Sequence, residues 1–309
     1  MRVACIGECM IELADAPGGV ARAYGGDTLN TAVYLARLAG GRGVAVDYVT
    51  ALGDDPYSDE MLAGWRAEGI GTERVRRTPG RVPGLYMIRT GAGGERSFYY
   101  WRSAAPAREL FDGPAGHALV DALAGYDWLY VSGITLGVLT VEGRLALFET
   151  LRRASAKGAR IAFDSNYRPR LWEDAEEARA AMGVALGWAD LALPGFDDER
   201  ALHGDRDAAA TAARIGRAGP REIVVKNGPG EIVVVAEGAA TTVSVDPHPD
   251  PVDTTAAGDS FNAGYLAARI AGADPVAAAR AGAALARRVV GYRGAVIPAD
   301  AMADLAAEA

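Results

Sequence analysis

The sequence predicts an α/β fold, a mainly parallel central sheet covered by helices on both faces, with a small β-sheet lid added to it. Three observations predict this. Short apolar, β-branched runs alternate with longer helical patterns along most of the chain. Strand–helix–strand alternation calls for crossover connections, hence parallel strands with helices on both faces. One stretch near residues 81–103 breaks the alternation and is rich in aromatic residues.

The strand candidates, in order, are residues 3–7 (VACIG), 44–52 (VAVDYVTAL), 127–132 (DWLYVS), 160–164 (RIAFD), 190–193 (DLAL) and 222–226 (EIVVK). They read as near-continuous apolar runs, as a sheet buried on both faces requires. Helical patterns occupy 28–38, 58–68, 141–156, 174–186, 207–217, 257–270 and 275–290. Residues 84–90 (GLYMIRT) and 95–102 (ERSFYYWR) flank Gly91-Ala92-Gly93-Gly94, which reads as a hairpin turn. With residues 11–13 they would form a small antiparallel sheet. Segments of about 10–24 and 81–103 would then make a lid over the strand C-termini, although the pattern fits an ordinary edge hairpin equally well.

A chain of 309 residues leaves one large α/β domain or two ordinary ones open, and the reading settles on one domain over 1–309. Half the residues are hydrophobic and the mean hydropathy is +0.03, which describes a globular chain. A formal charge of −8 and a pI near 5.1 argue against a nucleic-acid binder working through bulk positive charge. The basic residues are almost all arginine, since the only lysines are Lys157 and Lys226. Cys5 and Cys9, if extended, lie roughly 13 Å apart, too far for a disulfide. Three scattered histidines give no zinc spacing. No leader pattern and no apolar run of about 18 residues is found, so a reduced, cytoplasmic protein without a membrane or nucleic-acid partner is expected.

The chemistry concentrates in residues 252–264, VDTTAAGDSFNAG, where a turn of small residues runs into a helix. Small side chains let backbone N–H groups approach an anion, and the helix N-terminus adds free donors and a favourable dipole. Asp259 follows Gly258 in that first turn, where a carboxylate beside an anion site is unfavourable unless it handles a proton or a metal. The plainer alternative is that it complements the helix dipole. No G-x-x-x-x-G-K-[ST] exists, which excludes a P-loop, and no G-x-G-x-x-G exists either. Lys226 ends a strand beside Asn227-Gly228-Pro229-Gly230, placed to meet phosphates or simply solvated. In a strand, Phe98, Tyr100 and Arg102 share one face, and Tyr86 on the partner strand would join them. That face suits a planar or anionic ligand, or else it is packing or a dimer interface.

DTTAAGD resembles the D-T-x-G-A-G-D signature of the ribokinase-type (PfkB-type) sugar kinases, with Ala256 where that family usually has Gly. A second family signature appears as Gly25-Gly26-Asp27-Thr28-Leu29-Asn30. With GECMIEL, YVTALGDDPYS, PGLYMIRT, GERSFYYWR, LYVSGI and FDSNYRPRLW, the match runs from Gly7 to about Ala267. Within that family it is similar to the bacterial kinases of 2-keto-3-deoxygluconate.

The resemblance implies a ribokinase-like three-layer fold and ATP-dependent phosphorylation of a sugar hydroxymethyl group. Asp259 would be the general base, and the N–H groups of Ala256, Ala257 and Gly258 the anion hole. Gly26, Tyr86, Tyr100, Arg102 and Arg168 would line a sugar-acid site, with Asp27 and Asn30 as hydroxyl partners and Tyr99 as an alternative to Tyr100. Asn166, Arg168, Lys226, Gly228, Gly230, Ala256 and Gly258 would meet ATP. The family's N-x-x-E element, which serves Mg²⁺, falls on residues 195–198 of ALPGFDDE. There Gly195 replaces Asn and Asp198 replaces Glu, so Asp198 would serve the metal through water, with Asp197 or Glu199 able to share the role. A homo-oligomer through the lid edges is expected by the same analogy.

Overall fold

The computed structural model describes residues 1–16, 18–90 and 96–308. The proposed turn at Gly91-Ala92-Gly93-Gly94, and Glu95 after it, lie outside the described residues. The first strands are β1 (Arg2–Ile6), β2 (Met10–Ala16) and β3 (Gly19–Gly25), followed by α1 (Asp27–Ala39), β4 (Ala45–Val49), β5 (Ala51–Leu52) and α2 (Pro56–Ala67). Next come β6 (Arg76–Arg77), β7 (Leu85–Thr90), β8 (Arg96–Trp101), α3 (Gly113–Leu123), β9 (Trp128–Ser132), α4 (Gly133–Val138) and α5 (Val141–Ala156). The second half contains β10 (Arg160–Asp164), α6 (Ala175–Trp188), β11 (Leu191–Ala192), α7 (Phe196–His203), α8 (Ala208–Gly216) and β12 (Glu222–Val225). The chain closes with β13 (Ile232–Ala236), β14 (Ala239–Val243), α9 (Ala257–Ile270), α10 (Pro275–Val289) and α11 (Ala303–Glu308).

The large sheet has the order β14-β13-β12-β11-β10-β9-β1-β4. It is parallel from β12 to β4, with an antiparallel β13–β14 hairpin added at one edge. Alternating side chains of β1 feed two cores. Val3 and Cys5 pack with α1, α2, α9 and α10, whereas Ala4 and Ile6 pack with α3, α5, α6 and α8. The sheet is thus the middle of three layers. From β1 the chain crosses to β4 on one side. From β9 it proceeds through β10, β11 and β12 on the other. The strand order therefore reverses between β1 and β9, which opens a crevice at their C-terminal ends.

The small sheet has the order β3-β2-β7-β8 and is mixed rather than antiparallel. β2 and β7 both leave the body in the same direction, so they pair parallel, while β3 and β8 return antiparallel beside them. Arg22 and Tyr24 on β3 anchor this sheet to α2, reaching Glu60 at 2.6 and 2.5 Å. The predicted strand 44–52 is in fact broken. β4 ends at Val49, and Ala51–Leu52 leave the main sheet to pair with Arg76–Arg77. α3, α4, α7, α11 and the β13–β14 hairpin lie outside the predicted elements, whereas β3 falls largely within the expected lid segment of about 10–24. Among the described residues no helix is long and apolar enough to cross a membrane.

Candidate active site

Several chain ends converge on the crevice. β1 leads into Gly7 and Glu8, β10 into Asp164, Ser165 and Asn166, and β12 into Lys226; α1 and α9 present their N-terminal turns, carrying Asp27, Asn30 and Asp259.

Asp259 lies in the first turn of α9 and is half-buried. Its Oδ2 accepts from Asn30 Nδ2 at 2.8 Å, and its backbone carbonyl accepts from Thr31 Oγ1 at 3.2 Å. Burial, reinforced by the Asp27 and Asp164 carboxylates, pushes its pKa up to about 7, against the pull of Asn30 and Lys226. A carboxyl poised there exchanges a proton near neutral pH, as a general base requires.

The turn ahead of α9 is folded by Asp253. Its Oδ1 accepts from the Thr255 N–H (3.0 Å) and hydroxyl (2.7 Å), and its Oδ2 from the Gly294 N–H (3.0 Å). The three expected anion-hole donors are not equivalent. The Ala257 N–H is already bonded to the Thr254 carbonyl at 3.2 Å, while those of Ala256 and Gly258 have no such partner among the described residues.

Ala256 caps α9 in the left-handed region, at φ 59° and ψ 15°. A Cβ there costs about 1–2 kcal/mol, part of which a glycine would return through its looser unfolded chain. Ala256→Gly is therefore expected to raise the unfolding free energy by up to about 1 kcal/mol, read from urea titrations. Any loss of stability would contradict this account of the turn.

Lys226 is not a solvated strand end. Its Nζ donates to Asp164 Oδ2 at 2.8 Å and to Asn262 Oδ1 at 2.9 Å. Asn262 Nδ2 in turn donates to Asp164 Oδ2 (2.7 Å) and to the Tyr130 hydroxyl (2.9 Å). A Cβ added to Gly258 would lie 3.7 Å from that ammonium, so the charge stands beside the first turn of α9. The loop beyond is tight: Gly228 has φ 53°, and the Gly230 N–H donates to the Asn227 carbonyl at 2.8 Å.

Asn166, at φ 31°, gives its amide to Asp27 Oδ2 at 2.9 Å. Its side chain is therefore committed to the floor of the crevice. Burial and the Asp164 charge raise the Asp27 pKa, opposed by Ser132, the Thr28 N–H and Arg168. Arg168 donates to Asp198 Oδ1 at 3.0 Å and to its neighbour's carbonyl, that of Tyr167, at 2.8 Å. Burial and Asp164 raise the Asp198 carboxyl, and Arg168 opposes them. Glu199 is buried and ion-paired to Arg214, and Asp197 pairs with Arg200 at 2.8 Å. No cluster of three metal-ligating side chains occurs among the described residues. A Mg²⁺ that keeps its waters needs only one or two carboxylates, and Asp198, with Oδ1 on Arg168, is the carboxylate of this stretch nearest that requirement.

On the small sheet, register places Tyr100 opposite Tyr86 and Tyr99 opposite Met87. Tyr86 and Tyr100 stack at 5.8 Å, and the Arg102 guanidinium lies 5.9 Å from the Tyr100 ring. Tyr86 donates its hydroxyl proton to Glu12, and Arg102 donates to Glu8. Gly26 fits because a Cβ there would lie 2.1 Å from the Glu8 carbonyl.

Each predicted cation thus already carries a carboxylate: Arg102 with Glu8, Arg168 with Asp198, Lys226 with Asp164. Sequence reasoning missed Glu8, Glu12, Asp164, Asp253 and Asn262. Asn262 was findable, three residues after Asp259 on the same helix face. Glu8 also left a trace as a lone charge inside the apolar run CIGECMI.

Asp259 thus stands as a near-neutral carboxyl at a helix N-terminus where the strand order of an α/β sheet reverses, the place where such folds bind small molecules. Residues 1–302 match the family model described as pfkB family carbohydrate kinase, and the chain belongs to that family. It is 44% identical over 304 residues to the 2-dehydro-3-deoxygluconokinase of Escherichia coli K12, covering 97% of this chain and 98% of that protein. It is 39% identical to the Haemophilus influenzae protein of the same name, covering 99% of both. Among solved structures it resembles the Thermotoga maritima 2-dehydro-3-deoxygluconokinase, with a TM-score of 0.83, 24% identity and 99% of both chains covered. A Xylella fastidiosa fructokinase with bound ATP matches at a TM-score of 0.82 and 24% identity, covering 99% and 98%. The fold is ribokinase-like.

Proposed function

We propose that the protein transfers the γ-phosphoryl group of ATP to the primary hydroxyl of 2-keto-3-deoxygluconate, giving 2-keto-3-deoxy-6-phosphogluconate. The observation that carries this reading is Asp259, a carboxyl held near pKa 7 at the head of α9. In its ionised form it takes the proton of the attacking hydroxyl, while Asn30 fixes its orientation. The N–H groups of Ala256 and Gly258, with Lys226, face the charge that develops on the transferred group, where positioning and electrostatics dominate.

ATP supplies the phosphoryl group, and Mg²⁺ would neutralise charge between its phosphates. Asp198 is the residue proposed to hold the metal through water. Arg168, Gly228 and Gly230 are proposed to flank the nucleotide, whereas Asn166 acts through Asp27. Arg102 and Arg168 would take the substrate carboxylate, Tyr86 and Tyr100 its flat keto-acid end, and Gly26, Asp27 and Asn30 its hydroxyl end. The small sheet would be the lid of one kinase domain. Its outer strand exposes Tyr99 and Trp101, which suits a homo-oligomer. Two buried free thiols, Cys5 and Cys9, suit a reduced cytoplasmic setting.

One observation favours a second reading, a kinase of fructose, tagatose or another neutral ketose: Arg102 is already neutralised by Glu8. A coupled ADP-release assay over gluconate- and galactonate-derived keto acids and neutral ketoses decides between them. Faster turnover of a ketose would overturn the first reading. Tight binding of the acid without ADP release would point instead to a sensor.

A further inference from the structure

Glu8 stands two residues beyond the end of β1, where the large sheet hands the chain to the small one. Its side chain is 1% exposed, and the Arg102 side chain that donates to it is 13% exposed. Glu8 Oε1 and Arg102 Nε have no hydrogen-bond partner among the described residues. The start of β7 closes over the pair, since a Cβ on Gly84 would lie 2.8 Å from Glu8 Oε1 and 3.1 Å from Arg102 Cβ. This is a buried ion pair with one acceptor and one donor left over.

The guanidinium therefore has a resident carboxylate before any sugar acid arrives. A second carboxylate on it would put two anions around one cation in a dry site. Two like charges that close cannot both stay ionised cheaply. A protonated carboxyl relieves the conflict, because it becomes a donor through its hydroxyl and still accepts through its other oxygen. We propose that Glu8 is a specificity-determining residue that takes one proton from solvent when the substrate's carboxylate docks on Arg102, so that a sugar acid enters with a proton and a neutral ketose enters without one. This rests on the reading that Arg102 binds the substrate carboxylate.

The groups facing Glu8 are consistent with that exchange. Burial already raises its pKa, and Asp27 at the head of α1 adds to the effect. Arg102 at the end of β8 and Arg108 in the turn at Pro106–Glu109 oppose it. Docking a carboxylate on Arg102 removes part of that opposition. Cys9 and Tyr48, the other titratable neighbours, stay neutral because burial pushes both well above their ordinary values.

The test is calorimetric titration of 2-keto-3-deoxygluconate into the full chain near neutral pH, in buffers of different ionisation enthalpy. The acid is expected to take up about one proton more than its methyl ester. Its Kd should weaken about tenfold per pH unit between the free and bound pKa of Glu8. Glu8→Gln should still bind the acid but lose that extra proton. Equal uptake for acid and ester, or unchanged uptake in Glu8→Gln, would overturn the proposal. If the variant does not fold, the acid–ester comparison in the wild type decides alone. No binding of the acid at all would overturn both this proposal and the substrate reading beneath it, whereas binding without uptake overturns only this one.

Discussion

Asp259→Asn is expected to leave a folded protein that binds the sugar acid and ATP yet transfers phosphoryl about 10²–10⁴-fold more slowly, the range for removing a general base. The amide keeps the shape but cannot take the proton. As the proposed general base Asp259 works as the carboxylate, so kcat/KM should rise with pH through about 7, the value to which burial, Asp27 and Asp164 push this group. Stability should move the other way. A carboxyl whose folded pKa lies above its unfolded value of about 3.9 binds its proton more tightly when folded. Its contribution is full below the unfolded pKa and is lost as pH rises through about 7. Asp259→Asn should remove that dependence, so that its thermal midpoint exceeds the wild type's above pH 7. Turnover within a few-fold of wild type would end the general-base assignment.

Lys226→Met is the second large effect, and it acts on two quantities at once. The ammonium is the cation 2.8 Å from Asp164, whose side chain is 5% exposed. Removing one partner of a buried pair typically costs about 3–5 kcal/mol, because the other charge is left uncompensated. Unfolding in urea should show that loss. Lys226→Met with Asp164→Asn should recover much of it, since Asn262 can still hydrogen-bond the amide. Lys226 also holds the Asp259 pKa down. Without it the rising limb of the pH–rate profile should shift to higher pH, together with a fall in kcat as the anion-binding turn loses its charge. A destabilised variant whose pH limb stays put would make Lys226 a purely structural residue.

These two predictions fall on opposite sides of what could be read in advance. Asp259 was legible because its signal is local: a turn of small residues, then a carboxylate in the first turn of a helix, all within the run DTTAAGD. The role of Lys226 was only half legible. A lysine at a strand end beside a glycine-rich turn is readable, but its partner Asp164 ends β10, two strands over in the sheet and 62 residues away. The same holds for Arg102 and Arg168. Both were identified as cations for an anionic substrate, and both turn out to hold a carboxylate of the protein itself, Glu8 and Asp198 respectively. The small sheet divides likewise. Period-two alternation put Phe98, Tyr100 and Arg102 on one face. It did not reveal that β2 and β7 run parallel, or that β3 completes the sheet with a strand of small and charged residues.

The sequence by itself determined the strand–helix alternation, the mainly parallel sheet and the head of α9, because each follows from the spacing of side chains along a few turns or a few pleats. It also singled out Lys226 as a candidate, since two lysines among so many arginines make it conspicuous. Only the tertiary structure decided the charge state of the site. Whether a guanidinium is free or paired, and whether a carboxyl titrates near 4 or near 7, depends on burial and on which charges the fold brings within a few ångströms. Those neighbours come from β1, β10, α1 and α9, which are separate in the chain and meet only where the strand order reverses.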